Sequence, residues 1–297
     1  MLHDHDLDAQ HGDRRVGAAI VANLLLTVAQ IIGGILAGSL ALIADALHNF
    51  SDVASLAIAF SARKIARWPA DSSMTFGYKR VEIVAALINY TTLIVIGLYL
   101  LYQSGMRFIA PPEVEGWIVV ILGGIALTVD TLTALLTWSM QKGSVNIRAL
   151  FLHNLSDALA SVAVIAAGSL ILLYGLHWVD PLITALIAAY ILYLAFTEIG
   201  GVIRILMLGS PPEIDLDEVM QAVVSVEGVS CIHHTHFWQM REHESSFDTH
   251  VILEKNRWCD LEEIKATIKT RLRSEFGIRH STLEFEQSIV EHWDSSQ

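Results

Sequence analysis

The sequence predicts a membrane α-helical protein with six transmembrane helices, followed by a cytoplasmic α+β domain of order α-β-β-α-β. Of the 297 residues, 53% are hydrophobic, which is a high share for a water-soluble domain of this length. Charged residues are sparse between about positions 15 and 205 and frequent after them. This asymmetry predicts a polar tail of residues 1–14, a membrane domain of 15–205 and a soluble domain of 209–297.

Six apolar segments reach the ~20 helical residues needed to cross a hydrocarbon core about 30 Å thick. They cover roughly 16–37, 40–62, 81–103, 116–138, 147–174 and 179–201. Turn-forming and polar residues separate them, such as Gly38-Ser39 and Pro111-Pro112. Basic residues are frequent in the loops on one side, whereas Arg107 is alone on the other. The positively charged side is expected to be cytoplasmic, and both termini with it.

The soluble domain is predicted from capping residues and alternating strands. Asp215 can cap a helix over about 216–226, and strands are expected near 230–240 and 246–254. A second helix fits 260–276, with Asp260 as N-cap and Gly277 as C-cap, before a last strand over 281–287. Two helices on a three-stranded sheet form a small two-layer domain.

A short motif occurs twice within the apolar part. Residues 48–52 read His-Asn-Phe-Ser-Asp and residues 153–157 read His-Asn-Leu-Ser-Asp. In each copy the His and the Asp are four residues apart, which places them on one helical face. His48, Asp52, His153 and Asp157 would together give two imidazoles and two carboxylates, a tetrahedral donor set suited to Zn²⁺. The alternative is that each His-Asp pair only satisfies itself in a packed helix interface.

A site made of histidine and aspartate would couple metal binding to proton release, which is the basis of a transport mechanism. Zn²⁺ binds neutral imidazole and ionised carboxylate, so binding releases protons. A site that loads Zn²⁺ from the neutral cytoplasm would accept protons and release the metal when it opens to a more acidic side. Histidine suits this exchange because its unperturbed pKa is ~6.5.

Two further acids lie in the apolar segments. Asp45 precedes His48 by three residues and is a candidate to orient its imidazole, or else makes a polar helix contact. Asp130 is a candidate proton relay; the alternative is that it only hydrogen-bonds Thr128, Thr131 or Thr133.

The soluble domain carries a second set of possible ligands. His233, His234 and His236 lie on the first predicted strand and His250 on the next, and Glu284 and Glu286 lie on the last. Residues of one parity on neighbouring strands share a face, so these side chains could converge on a metal. The alternative is a solvated surface. For His3, His5 and His11 in the N-terminal tail the same two interpretations apply, a set of metal ligands or a solvated polar segment.

Composition and motifs argue against the alternatives, which are a nucleic-acid-binding protein, an intramembrane metalloenzyme and a membrane-anchored metal sensor. The net charge of −12 argues against nucleic acid as a partner, and two cysteines give no disulfide framework. An intramembrane metalloenzyme would usually show His-Glu-x-x-His, and no such string occurs. A membrane-anchored metal sensor would not need charged residues in its spans. A secondary transporter is therefore expected, and not an enzyme.

With six spans, His-x3-Asp in spans two and five and the α-β-β-α-β tail, the chain resembles the cation diffusion facilitator family of zinc/proton antiporters. The segments 75–82 (Thr-Phe-Gly-Tyr-Lys-Arg-Val-Glu) and 233–238 (His-His-Thr-His-Phe-Trp) also resemble family segments. The resemblance implies export of Zn²⁺, with Cd²⁺, Co²⁺ or Ni²⁺ as further candidates, from the cytoplasm in exchange for H⁺. The short loop over 141–144 favours a bacterial inner-membrane protein.

For the tail, the resemblance implies a ferredoxin-like domain that binds regulatory zinc in a homodimer. The ligands carried over are His233, His250 and Glu286, with Glu284 and His236 as further members. The chain departs from the family in two places. Met74 and Tyr78 stand where some members have histidines that bind a metal together with Asp71. Leu208 replaces an acid that would pair with Arg80.

Overall fold

The structure is a computed structural model that describes residues 23–138, 145–241 and 244–287, without the side chains of 136–154. The predicted N-terminal His/Asp tail and the loop over 141–144 therefore lie outside the described residues. The chain divides into two compact units. The first contains the residues up to Ser61 together with Ile88–Ile199, and the second contains Ala62–Leu87 and the residues from Gly200 onward.

Six helices precede the soluble domain in the described part. They are α1 (Asn23–Ala37), α2 (Leu40–Ala66), α3 (Val81–Ile109), α4 (Gly116–Trp138), α5 (Val145–Tyr174) and α6 (Val179–Leu206). Helices α3 to α6 contain apolar stretches long enough to cross a membrane, so the chain is a multi-pass membrane protein.

The number of spans stays a prediction. The described residues contain four helices that meet the requirements of length and apolarity, not six. Helix α2 has 27 residues, about 40 Å at 1.5 Å per residue, but Asp45, His48, Asn49 and Asp52 lower its hydropathy. Helix α1 is described only from Asn23, which leaves it short for a span.

The first unit is held together by apolar packing and by one polar clamp at a helix start. Leu42, Leu100, Val119 and Val164, from four helices, have no exposed surface. At the start of α2, Asp180 accepts hydrogen bonds from Ser39 Oγ (2.5 Å) and from the backbone nitrogens of Leu40 (2.8 Å) and Ala41 (3.3 Å). Because these backbone donors have no partner within the helix, this clamp ties the N-terminus of α2 to that of α6.

The soluble part of the second unit has the predicted element order. Its elements are α7 (Leu216–Val224), β1 (Val229–Arg241), β2 (Glu244–Leu253), α8 (Leu261–Phe276) and β3 (His280–Glu286). The sheet has the order β1-β2-β3, with β1 antiparallel and β3 parallel to β2. Both helices pack against the sheet through buried side chains, Val219 and Val223 of α7 and Ile268 and Leu272 of α8.

Most of the predicted caps are present. Asp215 accepts a hydrogen bond from the backbone nitrogen of Asp217, and Gly277 ends α8 with φ +69°, a conformation that glycine adopts without strain. Asp260 stands at the N-cap of α8, but its side chain makes no capping hydrogen bond. The physical reason is the turn of 3₁₀ helix over Trp258–Asp260, which gives Asp260 a φ of −96° and a ψ of 7° instead of extended backbone.

The loop between α2 and α3 belongs to the second unit. Asp71 accepts hydrogen bonds from Ser73 Oγ (2.6 Å) and Tyr78 OH (2.6 Å), and these bonds hold the pKa of its carboxyl well below the usual value.

Arg80 has a leucine, Leu208, at the position where an acidic partner was considered, and it donates instead to the carbonyl oxygen of Ile205 (2.8 Å). It thus occupies an acceptor that the C-terminal turn of α6 leaves free.

Candidate metal sites

The first candidate site joins α2 to α5 in the membrane domain. His48 Nε2 lies 3.2 Å from Asp157 Oδ1 and 3.8 Å from Asp52 Oδ2. His48 is 9% exposed and Asp157 is 8% exposed. The possible ligand atoms of the three residues all lie within 4.8 Å of one another. The structure therefore brings together three of the four residues that the repeat predicts.

These distances are close to those of a zinc site. Ligands about 2.0 Å from a tetrahedral Zn²⁺ ion lie about 3.3 Å from one another. The His48–Asp157 pair has this separation already, and the His48–Asp52 pair would have to approach by about half an ångström. The fourth predicted ligand, His153, lies on α5 one turn before Asp157, but its side chain is outside the described residues.

Asp45 lies on α2 three residues before His48 and makes a polar contact with α1. It is 1% exposed and accepts a hydrogen bond from Gln30 Nε2 (2.6 Å), and Gln30 Oε1 accepts one from Asn49 Nδ2 (3.4 Å). Gln30 has no exposed surface. The side chain of Asp45 is thus fixed from a neighbouring helix, and its effect on the His48 imidazole stays a prediction.

Asp130 is buried between α4 and α5. Its Oδ2 accepts a hydrogen bond from Ser161 Oγ (2.8 Å). Of the threonines suggested as partners from the sequence, Thr128 donates to the carbonyl oxygen of Gly124, whereas the Thr133 hydroxyl donates to the backbone carbonyl oxygens of Val129 and Asp130. Ser161 lies one helical turn beyond Asp157 on α5, so this hydrogen bond joins Asp130 to the helix that carries Asp157 of the first candidate site.

The second candidate site lies on the sheet of the soluble domain. Glu286 is its centre, with Oε2 3.1 Å from His233 Nε2 and Oε1 2.7 Å from His250 Nδ1. The hydrogen bond with His250, aided by the one with His233, holds the pKa of Glu286 below the usual value. Glu284 Oε2 lies 3.6 Å from His250 Nε2. Two imidazoles and a carboxylate are a donor set that Zn²⁺ accepts.

A β-bulge in β1 brings His236 to the face of this site. His233 pairs with His250 and His236 pairs with Asp248, so three steps along β1 match two along β2. The additional residue gives His234 a φ of +49° and brings His233 and His236 to the same face. Strict alternation would have put His233 and His236 on opposite faces.

Sequence reasoning did not identify several residues that support these sites. Gln30, Ser161 and Asp180 were not singled out as partners, and His234 was named among the possible metal-binding side chains but not among the ligands carried over from the family. The His234 ring contacts those of His236 and His250, with centroids 4.7 and 5.1 Å away. A buried glutamine or aspartate in an apolar helix is a signal for such contacts, since a polar group there needs a partner, but the sequence does not say which.

Comparisons with known proteins cover nearly the whole chain. The family described as "Cation efflux transmembrane domain" matches residues 16–207, and that described as "Cation efflux protein, cytoplasmic domain" matches 211–288. The metal cation efflux system protein CzcD of Cupriavidus metallidurans is 32% identical over 295 residues, 99% of this chain and 93% of that protein. The cadmium, cobalt and zinc/H(+)-K(+) antiporter of Bacillus subtilis is 34% identical, covering 98% and 94%.

The solved structures that are similar to this chain include a separate domain of a relative. The metal-bound C-terminal domain of the CzcD transporter from Cupriavidus metallidurans is 29% identical and corresponds to 25% of this chain and 99% of that domain, with a TM-score of 0.23. Because a family of cation efflux proteins matches the membrane part over most of the chain, and full-length relatives exceed 30% identity, the chain belongs to the cation diffusion facilitator family.

Proposed function

We propose that the protein is a secondary active transporter that exports Zn²⁺ from the cytoplasm in exchange for H⁺. The observation that carries this proposal is the cluster of His48, Asp52 and Asp157 on two helices of the membrane domain, in which His48 and Asp157 are buried. Ionisable groups at membrane depth are costly and mark ion pathways. Names of relatives support the same chemistry, including cadmium and cobalt beside zinc, so Cd²⁺ and Co²⁺ are further candidate substrates, with Ni²⁺ as a third.

His153 completes the proposed site as its fourth ligand. The repeat places it relative to Asp157 as His48 is placed relative to Asp52, and both pairs lie inside long helices. A ligand set with two imidazoles favours Zn²⁺ over the harder ions Mg²⁺ and Mn²⁺. Four protein ligands also leave no position for a catalytic water, which agrees with a family of transporters and not of enzymes.

Proton exchange follows from the closeness of two carboxylates, of which that of Asp157 is buried. With the metal bound, the two charges of Zn²⁺ offset those of Asp52 and Asp157. When the metal leaves, two carboxylates near one another in an apolar setting are costly unless they gain protons or a protonated histidine. Metal release on the more acidic side is thereby coupled to proton uptake.

Two further acids have proposed roles at this site. Asp130 is the proposed proton relay, through its hydrogen bond with Ser161, and Asp45 is the residue proposed to orient the imidazole of His48.

The second cluster is proposed to be a regulatory zinc site. His233, His250 and Glu286 would hold the ion, with Glu284 and His236 as additional ligands. This site lies in the domain whose family counterpart is the cytoplasmic domain of cation efflux proteins. We infer that the protein works as a homodimer through this domain.

The proposed arrangement in the cell follows from charge. Arg63, Lys64, Arg67, Lys79 and Arg80 all lie between α2 and α3 or at their adjoining ends, which favours a cytoplasmic position for this loop. The N-terminal tail of 1–14, which precedes the membrane domain of 15–205 in the sequence, and the soluble domain of 209–297, which follows it, would then both lie in the cytoplasm. A bacterial inner membrane is the proposed location.

The test is zinc flux in inside-out membrane vesicles. An inward-acidic pH gradient should drive uptake of Zn²⁺, and uptake should be accompanied by alkalinisation of the lumen. Glu198→Gln removes an exposed carboxylate from α6 outside both clusters and serves as the matched control. Zinc uptake that is unaffected by collapse of the pH gradient would contradict the antiport mechanism.

A further inference from the structure

A cleft beside the cytoplasmic end of α2 belongs to neither metal cluster. It has a volume of about 640 Å³ and lies within the second unit, between the end of α2, the loop that follows and the end of β1. The loop wall is held in place by the hydrogen bonds of Asp71 with Ser73 and Tyr78. The cleft is thus lined by a helix end, an ordered turn and a strand end.

Its lining is strongly basic. Arg63, Arg67, Lys79 and Arg241 contribute four cationic side chains, against one acid, Glu82. Two of the cations already have a partner, since Glu244 Oε2 lies 2.6 Å from Arg241 Nε and 3.4 Å from Lys79 Nζ.

The other two cations face the cleft without such a partner. Within the described part of the chain, no carboxylate forms an ion pair with Arg63 or Arg67. They are exposed and four residues apart, with Arg63 in the last turn of α2 and Arg67 in the turn directly after it, and both line the cleft. A pair of guanidinium groups offers a planar array of donors that matches the oxygens of a phosphate.

Apolar rings border the same cleft. Trp68 is 55% exposed and Phe76 is 61% exposed, and both line it. Five residues after Phe76, at Val81, begins α3, one of the four long apolar helices. The cleft therefore lies where a span meets water, the level at which tryptophan is enriched and at which lipid headgroups lie.

We propose that this cleft binds the phosphate group of an anionic lipid headgroup, with Arg63 and Arg67 as its principal ligands. A lipid fits better than free phosphate because the exposed rings of Trp68 and Phe76 provide an apolar border that a small inorganic anion would not use. Basic clefts at the cytoplasmic ends of transmembrane helices are suited to such headgroups.

The test uses the full-length protein in mild detergent, with phosphatidylglycerol and phosphatidylcholine titrated separately and bound lipid counted by native mass spectrometry. Phosphatidylglycerol should be retained in preference to phosphatidylcholine. The double variant Arg63→Gln, Arg67→Gln should bind it roughly 30-fold more weakly, since each basic residue near an anionic headgroup contributes about a factor of five. Lys64→Gln, a change in the same helical turn at a residue that does not line the cleft, should retain the lipid.

Two further comparisons keep the outcome clear. Arg63→Lys, Arg67→Lys preserves both charges and should hold most of the lipid, which separates loss of charge from damage to the helix end. Equal retention of the two lipids, or wild-type retention by the glutamine double variant, would overturn the proposal. Arginine-dependent binding of inorganic phosphate without any preference for phosphatidylglycerol would overturn the assignment to a lipid.

Discussion

Replacing Asp157 by asparagine removes a negative charge from a side chain that is 8% exposed and whose Oδ1 lies 3.2 Å from His48 Nε2. Asparagine has nearly the same size and can still accept a hydrogen bond from His48, so packing between α2 and α5 should change little. The site loses an anionic ligand and a group that exchanges a proton for metal. The expected effect is therefore on zinc binding and not on folding.

The size of this effect can be approximated from the total binding energy of zinc sites. Structural sites with four ligands bind Zn²⁺ with about 10–16 kcal/mol. An equal share for each of four ligands is about 2.5–4 kcal/mol, which weakens the affinity roughly 100- to 1000-fold. Asp52→Asn should act in the same direction, since the repeat places Asp52 equivalently.

The assay is calorimetric titration of the purified full-length protein with Zn²⁺, alongside counting of the protons released. Glu198→Gln, at an exposed position of α6, should bind like the wild type. A structural role for Asp157 predicts a different result, in which the variant expresses poorly or unfolds at a lower temperature. If Asp157→Asn is stable and binds and transports zinc as the wild type does, the assignment of the site is refuted.

Three other changes test separate parts of the structure. His48→Asp replaces a nitrogen ligand by a harder oxygen, so Mn²⁺ should compete better with Zn²⁺ in flux assays; an unchanged preference would argue against His48 as a ligand. His233→Ala combined with His250→Ala should lower the number of zinc ions bound by the full-length protein while transport continues at a raised zinc requirement; unaltered stoichiometry would refute the second site. Asp180→Asn weakens the clamp on the start of α2 and should destabilise the protein by about 1–3 kcal/mol, seen as a lower thermal unfolding midpoint; an unchanged midpoint would show that the clamp contributes little.

The features set by local pattern were predictable from the sequence. The soluble domain has the expected order because Asp215 and Gly277 mark helix ends and because hydrophobic alternation marks strands. A contact between the two copies of the motif, such as that of His48 with Asp157, was expected from the repeat, since ionisable groups on apolar helices need partners.

Contacts between distant residues were not predictable in the same way. Asp130 is 31 residues from Ser161 along the chain, and nothing in the sequence favoured Ser161 over the nearby threonines. The partner of Asp45, Gln30, comes from another helix. The bulge at His234 depends on a backbone conformation with positive φ at a residue that is not glycine, although it decides whether His236 shares a face with His233.

Zinc-edge anomalous scattering from the zinc-loaded protein tests the central claim most directly. The proposed function predicts a peak in the membrane domain, about 2.0–2.2 Å from a ligand atom of each of His48, Asp52, His153 and Asp157. The same map of Asp157→Asn at equal zinc concentration should show that peak strongly reduced, with any peak at Glu286 unchanged. Zinc found only in the soluble domain, with His48 and Asp157 still in contact with each other, would contradict the account.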